Sequence, residues 1–357
     1  MTSDLPRDAA YFVDHLRGLA LELREAVGRG VRSATAEELS AATGDRGGDT
    51  IYRLDEHGEG PLLAYCARWG EDLPLLLVAE GVEGGEAGPR PSVGRVFPRG
   101  ADPQRLTFTL IVDPIDGTRG LMYGKRSAWA LFGVAPPPRG GYRPTLADIV
   151  VALQAELPTA RAALADVLWA ARGEGVQAET HDLRTGAVTS FVPRPSRAST
   201  LEGGFAAISK FFPGAKAAAA GLEERLYLEL LGPPRSESPQ VFDDEYISSG
   251  GQLYELMAGH DRFLADLRPI LHDPAEAPSR LCCHPYDLCT ELIAREAGVI
   301  VTDERGAPLA APLDTTSPVA WVGYANAVLR QSIEPVLQRL LNSYQLSAIS
   351  RQQEADG

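Results

Sequence analysis

The run LIVDPIDGTRG, residues 110–120, drives a strand-like apolar stretch into Asp113 and Asp116, with Pro114 between them and Gly117 and Thr118 just after. Asp, Pro and Gly are also what a strand needs in order to stop, so turn chemistry alone accounts for the composition. The other reading is chemical. Carboxylate oxygens are ligands for hard divalent cations such as Mg²⁺, which keep positions open for water and a substrate phosphate. Glu80, closing LPLLLVAEG, and Asp287, in HPYDLCTELIAREAGVIVTDERG, are acids that could join the pair. Four carboxylates brought together repel one another, and a metal relieves the repulsion. Gly117 allows close backbone approach, so that successive N–H groups can cup a phosphate oxygen. The Thr118 hydroxyl could orient an attacking water. Asp287 has a plainer alternative, because Asp at the first turn of a helix bonds free backbone N–H groups.

These residues need elements to carry them. Apolar residues from Phe12 to Val27 recur at helical spacing and Gly28 ends the pattern, which predicts an amphipathic helix over 6–27. A second helix is expected over 61–69, then a buried strand ending at Glu80 and a Gly- and Pro-rich loop over 81–104. Short strands follow Asp116, residues 205–231 read as helix, and SSGGQLYELMAG reads as a glycine turn feeding a helix to Gly259. After Asp287 a helix stops at Gly298 and VIVTD restarts as a strand. Strands cluster first and helices and strands alternate later, which predicts stacked helical and sheet layers rather than a doubly wound sheet. The expected division is an N-terminal half over 1–200, a C-terminal half over 201–343 and a polar, fraying tail over 344–357.

Composition narrows the function classes. The chain has 357 residues, 44% apolar and 23% charged, which suits a globular protein with a sizeable core. A net charge of -14, with Lys and Arg scattered, lacks the basic face of a nucleic-acid binder. No segment resembles a signal peptide or a membrane span, so a cytoplasmic location is expected. Cys66, Cys282, Cys283 and Cys289 lack zinc-finger spacing and read as reduced thiols. His57 and His284 lie near Asp55 and Asp287, but neither an H-E-x-x-H nor an R-H-G motif occurs, and GVEGGEAG is no P-loop.

DPIDGT followed far downstream by YDLCTELIAREAG resembles the two signatures of the inositol monophosphatase family of metal-dependent, lithium-sensitive phosphatases. DTIYRLDEHGE, LLLVAEG, WAARGEGVQAE and ISSGGQLYELMAGHDRFLAD are similar to further family segments, so the likeness runs from about residue 10 to 340. It implies a layered αβαβα sandwich, an α+β fold of the inositol monophosphatase/fructose-1,6-bisphosphatase type. Carried over by position, Glu80, Asp113 and the Ile115 carbonyl would hold a first Mg²⁺, and Asp113, Asp116 and Asp287 a second. Family members often use a third, weaker Mg²⁺. Thr118, hydrogen-bonded to Asp55, would help activate the attacking water, with Glu80 assisting. Backbone N–H groups of Gly117 and Thr118 would bind phosphate. Arg119, Gly251, Gln252 and Arg280 are the candidate substrate contacts. The chain departs from the pattern where Gly81 follows Glu80, at Arg119–Gly120–Leu121, and at Arg280, where a glutamate is usual. The resemblance implies hydrolysis of an inositol monophosphate or related sugar or polyol phosphate, and a homodimer. Two alternatives stay open: a 3'(2'),5'-bisphosphate nucleotidase or sugar bisphosphate phosphatase, and an inactive relative that binds or scaffolds.

Overall fold

The computed structural model describes residues 5–46, 49–82, 94–235, 238–271 and 281–355. Helix Ala9–Ser33 opens on Asp8, whose carboxylate accepts the Tyr11 N–H and caps it. It runs past Gly28, since Val27 and Gly30 are still buried. The next long helix is Arg53–Asp72, which starts two turns before the expected Pro61 and carries that proline inside. Proline lacks an N–H and interrupts one turn of the ladder, but Leu54 and Gly58 are already buried before it and anchor the first turns. Gly58 lets the helix lie close to the strand end, where a Cβ would come 3.1 Å from Pro114 and 3.3 Å from Ile115.

Among the described residues, eight strands form one mixed sheet. In spatial order they are Val188–Phe191, Val176–Asp182, Leu164–Ala171, Val151–Leu157, Ala128–Ala135, Phe108–Asp116, Leu75–Ala79 and Arg95–Phe97. Only the pair Leu75–Ala79 and Phe108–Asp116 is parallel. Phe108–Asp116 is buried at every position, as a strand covered on both faces must be. Phe108, Leu110 and Val112 pack toward the two N-terminal helices, whereas Ile111 packs toward the other side. Each such fully buried side chain contributes about 1.5–3 kcal/mol relative to exposure.

The second sheet runs Val241–Phe242, Gly204–Ile208, Asp261–Asp266, Trp321–Tyr324, Ile300–Thr302. Helices Ser249–Ala258 and Glu291–Glu296 lie between the sheets, and Lys216–Leu231 and Ala327–Ala355 cover the far side. The result is helix, sheet, helix, sheet, helix. Two expectations change. Residues 204–208 are a parallel strand rather than helix, because pairing with strand Asp261–Asp266 overrides the local composition. The last helix continues through the polar tail to Ala355. No helix of the described residues is long and apolar enough to cross a membrane.

Candidate active site

Side chains three apart on a regular strand face opposite ways. Asp113 and Asp116 nevertheless meet, because the pairing of Phe108–Asp116 with Ala128–Ala135 slips between them. Asp113 faces Leu131 and Asp116 faces Trp129, so three steps on one strand match two on its partner. This bulge around Pro114 and Ile115 turns both carboxylates to one face. Asp287 arrives from the 3-10 turn Pro285–Leu288, and one oxygen each of Asp113, Asp116 and Asp287 lies within 4.8 Å of the others.

Each carboxylate is oriented from behind. Asp113 Oδ1 accepts the Ile115 N–H at 2.9 Å. Asp287 Oδ2 accepts the His284 N–H at 2.6 Å, so this residue does cap its turn while lining the cleft. Asp116 is held by the start of helix Ser249–Ala258: Ser248 Oγ donates to Oδ2 at 2.8 Å, Gly250 N to Oδ2 at 2.6 Å and Ser249 N to Oδ1 at 3.3 Å. Ser248 Oγ also accepts the Gly251 N–H at 2.9 Å and thus caps the helix. A Cβ at Gly250 would sit 2.5 Å from Leu131 and 3.0 Å from Asp116 Oδ2, so only glycine lets the helix approach this closely.

Gly117 has φ of 96° and opens the short helix Thr118–Met122. Thr118 Oγ1 lies 2.9 Å from Asp55 Oδ1 and 2.8 Å from the Ile115 carbonyl oxygen. The other Asp55 oxygen accepts the Tyr52 N–H at 2.8 Å, which fixes the carboxylate in the first turn of its helix. Glu80, Ile115, Gly117 and Arg119 line the same cleft.

Burial raises the pKa of Asp113 well above 3.8, and Glu80, Asp116 and Asp287 add to the shift. Asp287 is likewise raised by burial and then by Asp116. Burial lifts Asp116 to about 6 against the hydrogen bonds from Ser248, Gly250 and Ser249. An all-oxygen donor set that resists ionising unless a positive charge is present fits a hard divalent cation.

Neither a family model nor a curated protein sequence matches the chain. Solved structures do. Fructose-1,6-bisphosphatase of Leishmania major superposes with a TM-score of 0.63 over 93% of each chain at 15% identity. The extragenic suppressor protein SuhB of Bartonella henselae gives 0.58 over 92% of this chain and 98% of its own at 16% identity. Thermotoga maritima IMPase gives 0.56 over 93% and 99% at 15% identity. This chain has the inositol monophosphatase/fructose-1,6-bisphosphatase fold.

In this fold the cleft gathers Asp55, Glu80, Asp113, Ile115, Asp116, Gly117, Thr118, Arg119 and Asp287. Gly251 and Gln252 are placed behind it. A Cβ at Gly251 would lie 2.5 Å from the Tyr246 ring, and the Gln252 amide donates to Ser209 Oγ at 3.0 Å. Arg280 lies outside the described residues. Sequence reasoning missed Ser248, although Ser ahead of a helical pattern is a cap signal. It also missed Phe211, Phe212 and Arg268, for which the consecutive aromatics in SKFFPGAK were the available sign.

A pH dependence follows from the carboxylates. A carboxyl group whose pKa is raised in the folded state stabilises the fold below its unfolded value, and that stability is lost as pH rises through the folded value. For Asp116, from 3.8 to about 6, this is ~3 kcal/mol. A cation that binds the ionised cluster opposes the loss. The gain in melting temperature on adding Mg²⁺ is therefore expected to grow from about pH 4 to about pH 7. A gain that is constant or shrinks over that range contradicts the assignment.

Proposed function

We propose that this protein is a Mg²⁺-dependent phosphatase that hydrolyses a small phosphomonoester. The observation that carries the reading is the convergence of Asp113, Asp116 and Asp287 within 4.8 Å, beside the Thr118–Asp55 hydrogen bond. Glu80, Asp113 and the Ile115 carbonyl would hold one cation, Asp113, Asp116 and Asp287 a second, and a third would sit beside Glu80. Bound cations supply Lewis-acid neutralisation of the phosphoryl oxygens and make a water acidic enough to attack at neutral pH.

The chain's own groups do the rest. Gly117 and Thr118 present backbone N–H groups to the phosphate at the start of their helix. Thr118 Oγ1 accepts a proton from the attacking water as its own hydroxyl proton passes to Asp55 Oδ1, 2.9 Å away. The Tyr52 N–H on Asp55 keeps that acceptor aimed. A cysteine nucleophile is disfavoured, since burial pushes the thiol of Cys282 in the cleft up to about 11, far from a reactive thiolate. Phosphate release from a broad panel of phosphomonoesters, with Mg²⁺ and with a chelator, tests the reading. Release that needs Mg²⁺ is expected, and none from any substrate would refute it.

A further inference from the structure

Helix Ser249–Ala258 starts on Ser249, Gly250 and Gly251, and this start with its cap Ser248 supplies the hydrogen bonds that hold Asp116. Two successive glycines carry no side chains to pack and leave the backbone its widest choice of conformation. A clamp built on such a segment needs anchors from outside. Two buried glutamines supply them.

Gln154 lies on strand Val151–Leu157 at 0% exposure, paired with Leu131 on one neighbouring strand and Leu168 on the other, both also at 0%. Its Nε2 donates to the Gly250 carbonyl at 3.4 Å. The same peptide group carries the Gly251 N–H, which donates to Ser248 Oγ at 2.9 Å, and that hydroxyl donates in turn to Asp116 Oδ2 at 2.8 Å. Gln252, at 2% exposure, ties the same turn to the other sheet. Its Nε2 donates to Ser209 Oγ at 3.0 Å, and the Ser209 N–H is fixed on the Ala265 carbonyl at 2.7 Å.

Neither amide is required by the helix or the strand that carries it. The helix ladder already gives the Gly250 carbonyl the N–H of Tyr254, four residues on. Leucine at position 154 would match Leu131 and Leu168 beside it. Oε1 of each glutamine is buried and meets no donor among the described residues, and a buried polar group left so costs about 1–3 kcal/mol. What the two amides gain is direction. One holds the first turn against the eight-stranded sheet and the other holds it against the second sheet, so the turn can neither roll nor slide. Its setting decides where the Ser248 hydroxyl and the Gly250 N–H point. Groups that orient a metal ligand from behind change metal affinity when they are removed.

We propose that Gln154 and Gln252 are positioning residues for the cation site, pinning the first turn of helix Ser249–Ala258 to both sheets so that it keeps Asp116 in its ligating orientation. The inference rests on the Mg²⁺-dependent reading of the site and extends it to two residues that do not line the cleft.

Gln154→Met keeps most of the volume and removes the amide. It is expected to raise the calorimetric Kd for Mg²⁺, and with it the Mg²⁺ concentration for half-maximal phosphate release, by about three- to tenfold, since the amide acts one bond further out than a direct partner of the ligand. The kcat at saturating Mg²⁺ should stay within about twofold of the parent. The metal-free melting temperature should not fall, because the unpaired Oε1 is gone. Leu168→Ala, on the neighbouring strand, is the control: a lower melting temperature with the parent's Kd for Mg²⁺ is expected. An unchanged Kd in Gln154→Met overturns the proposal. So does a Kd that rises equally in Leu168→Ala, because loss of core packing would then explain both. If Gln154→Met does not fold, Gln252→Met decides by the same Kd, and failure of both variants to fold overturns the proposal, since the amides would then serve the fold itself. A parent that binds Mg²⁺ but releases no phosphate refutes the phosphatase reading alone, and the calorimetric comparison still decides this inference. A parent that binds no Mg²⁺ refutes both.

Discussion

Asp113→Asn is expected to lower kcat/KM for phosphate release by about 10³-fold or more, near 4 kcal/mol of transition-state stabilisation. Asp113 is the carboxylate assigned to both cations, and it is 1% exposed. Asparagine keeps an acceptor for the Ile115 N–H, so the bulge can persist. It removes the charge, however, and can turn an NH₂ toward the cations. The same substitution should make the metal-free protein more stable at neutral pH. In the parent, burial and then Glu80, Asp116 and Asp287 oppose ionisation of Asp113, so the charged state strains the fold. Removing that charge relieves the strain. Loss of activity with a raised metal-free melting temperature is the joint signature. A variant as active as the parent would place the chemistry elsewhere.

Arg268→Met is expected to destabilise the fold by about 3–5 kcal/mol, read as a lowered midpoint in chemical denaturation. Methionine fills much of the same space between Phe211, Phe212 and the sheet. It leaves Asp266, with no exposure, as a buried charge without its guanidinium. The link from Arg268 Nη1 to the Leu281 carbonyl goes too, and this link ties the segment leading to Asp287 onto strand Asp261–Asp266. Adding Asp266→Asn to Arg268→Met should recover much of the loss, because the double variant leaves no unpaired charge behind. A single variant as stable as the parent would mean that water reaches Asp266.

The parts of the site that the sequence displays are those whose chemistry is local. An apolar run that ends in Asp-Pro-Ile-Asp-Gly-Thr carries its strand, its bulge and its helix start within eleven residues. The strand before Glu80 shows in the same way, through its length, whereas Asp55 sits in the first turn of helix Arg53–Asp72, whose start lies ahead of the expected 61–69. The residues alone show Asp287 as an acid at a helix start, and the resemblance adds it to the ligand set; its arrival at the cluster depends on the layered packing of the C-terminal half. The rings and the arginine that line the cleft were not visible, because Phe211 and Arg268 follow two different parallel strands and meet only when those strands pair. Residues 205–208 read as helix from local composition, whereas pairing with strand Asp261–Asp266 and burial of Ala206, Ala207 and Ile208 decide the outcome. Gly251 and Gln252 were candidate substrate contacts through the resemblance of ISSGGQLYELMAGHDRFLAD to a family segment. Which glycine faces Asp116 is set by the phase of the helix, and that phase brings Gly250 forward and turns Gly251 onto Tyr246.

The most direct test of the central claim is a Mg²⁺ titration of phosphate release from chelator-stripped protein, on the best substrate of the panel, run beside calorimetric Mg²⁺ binding. Release that rises from zero and saturates with the binding curve, with both lost in Asp113→Asn, is the predicted result. Undiminished release in the presence of chelator would contradict a catalytic role for the Asp113, Asp116 and Asp287 cluster.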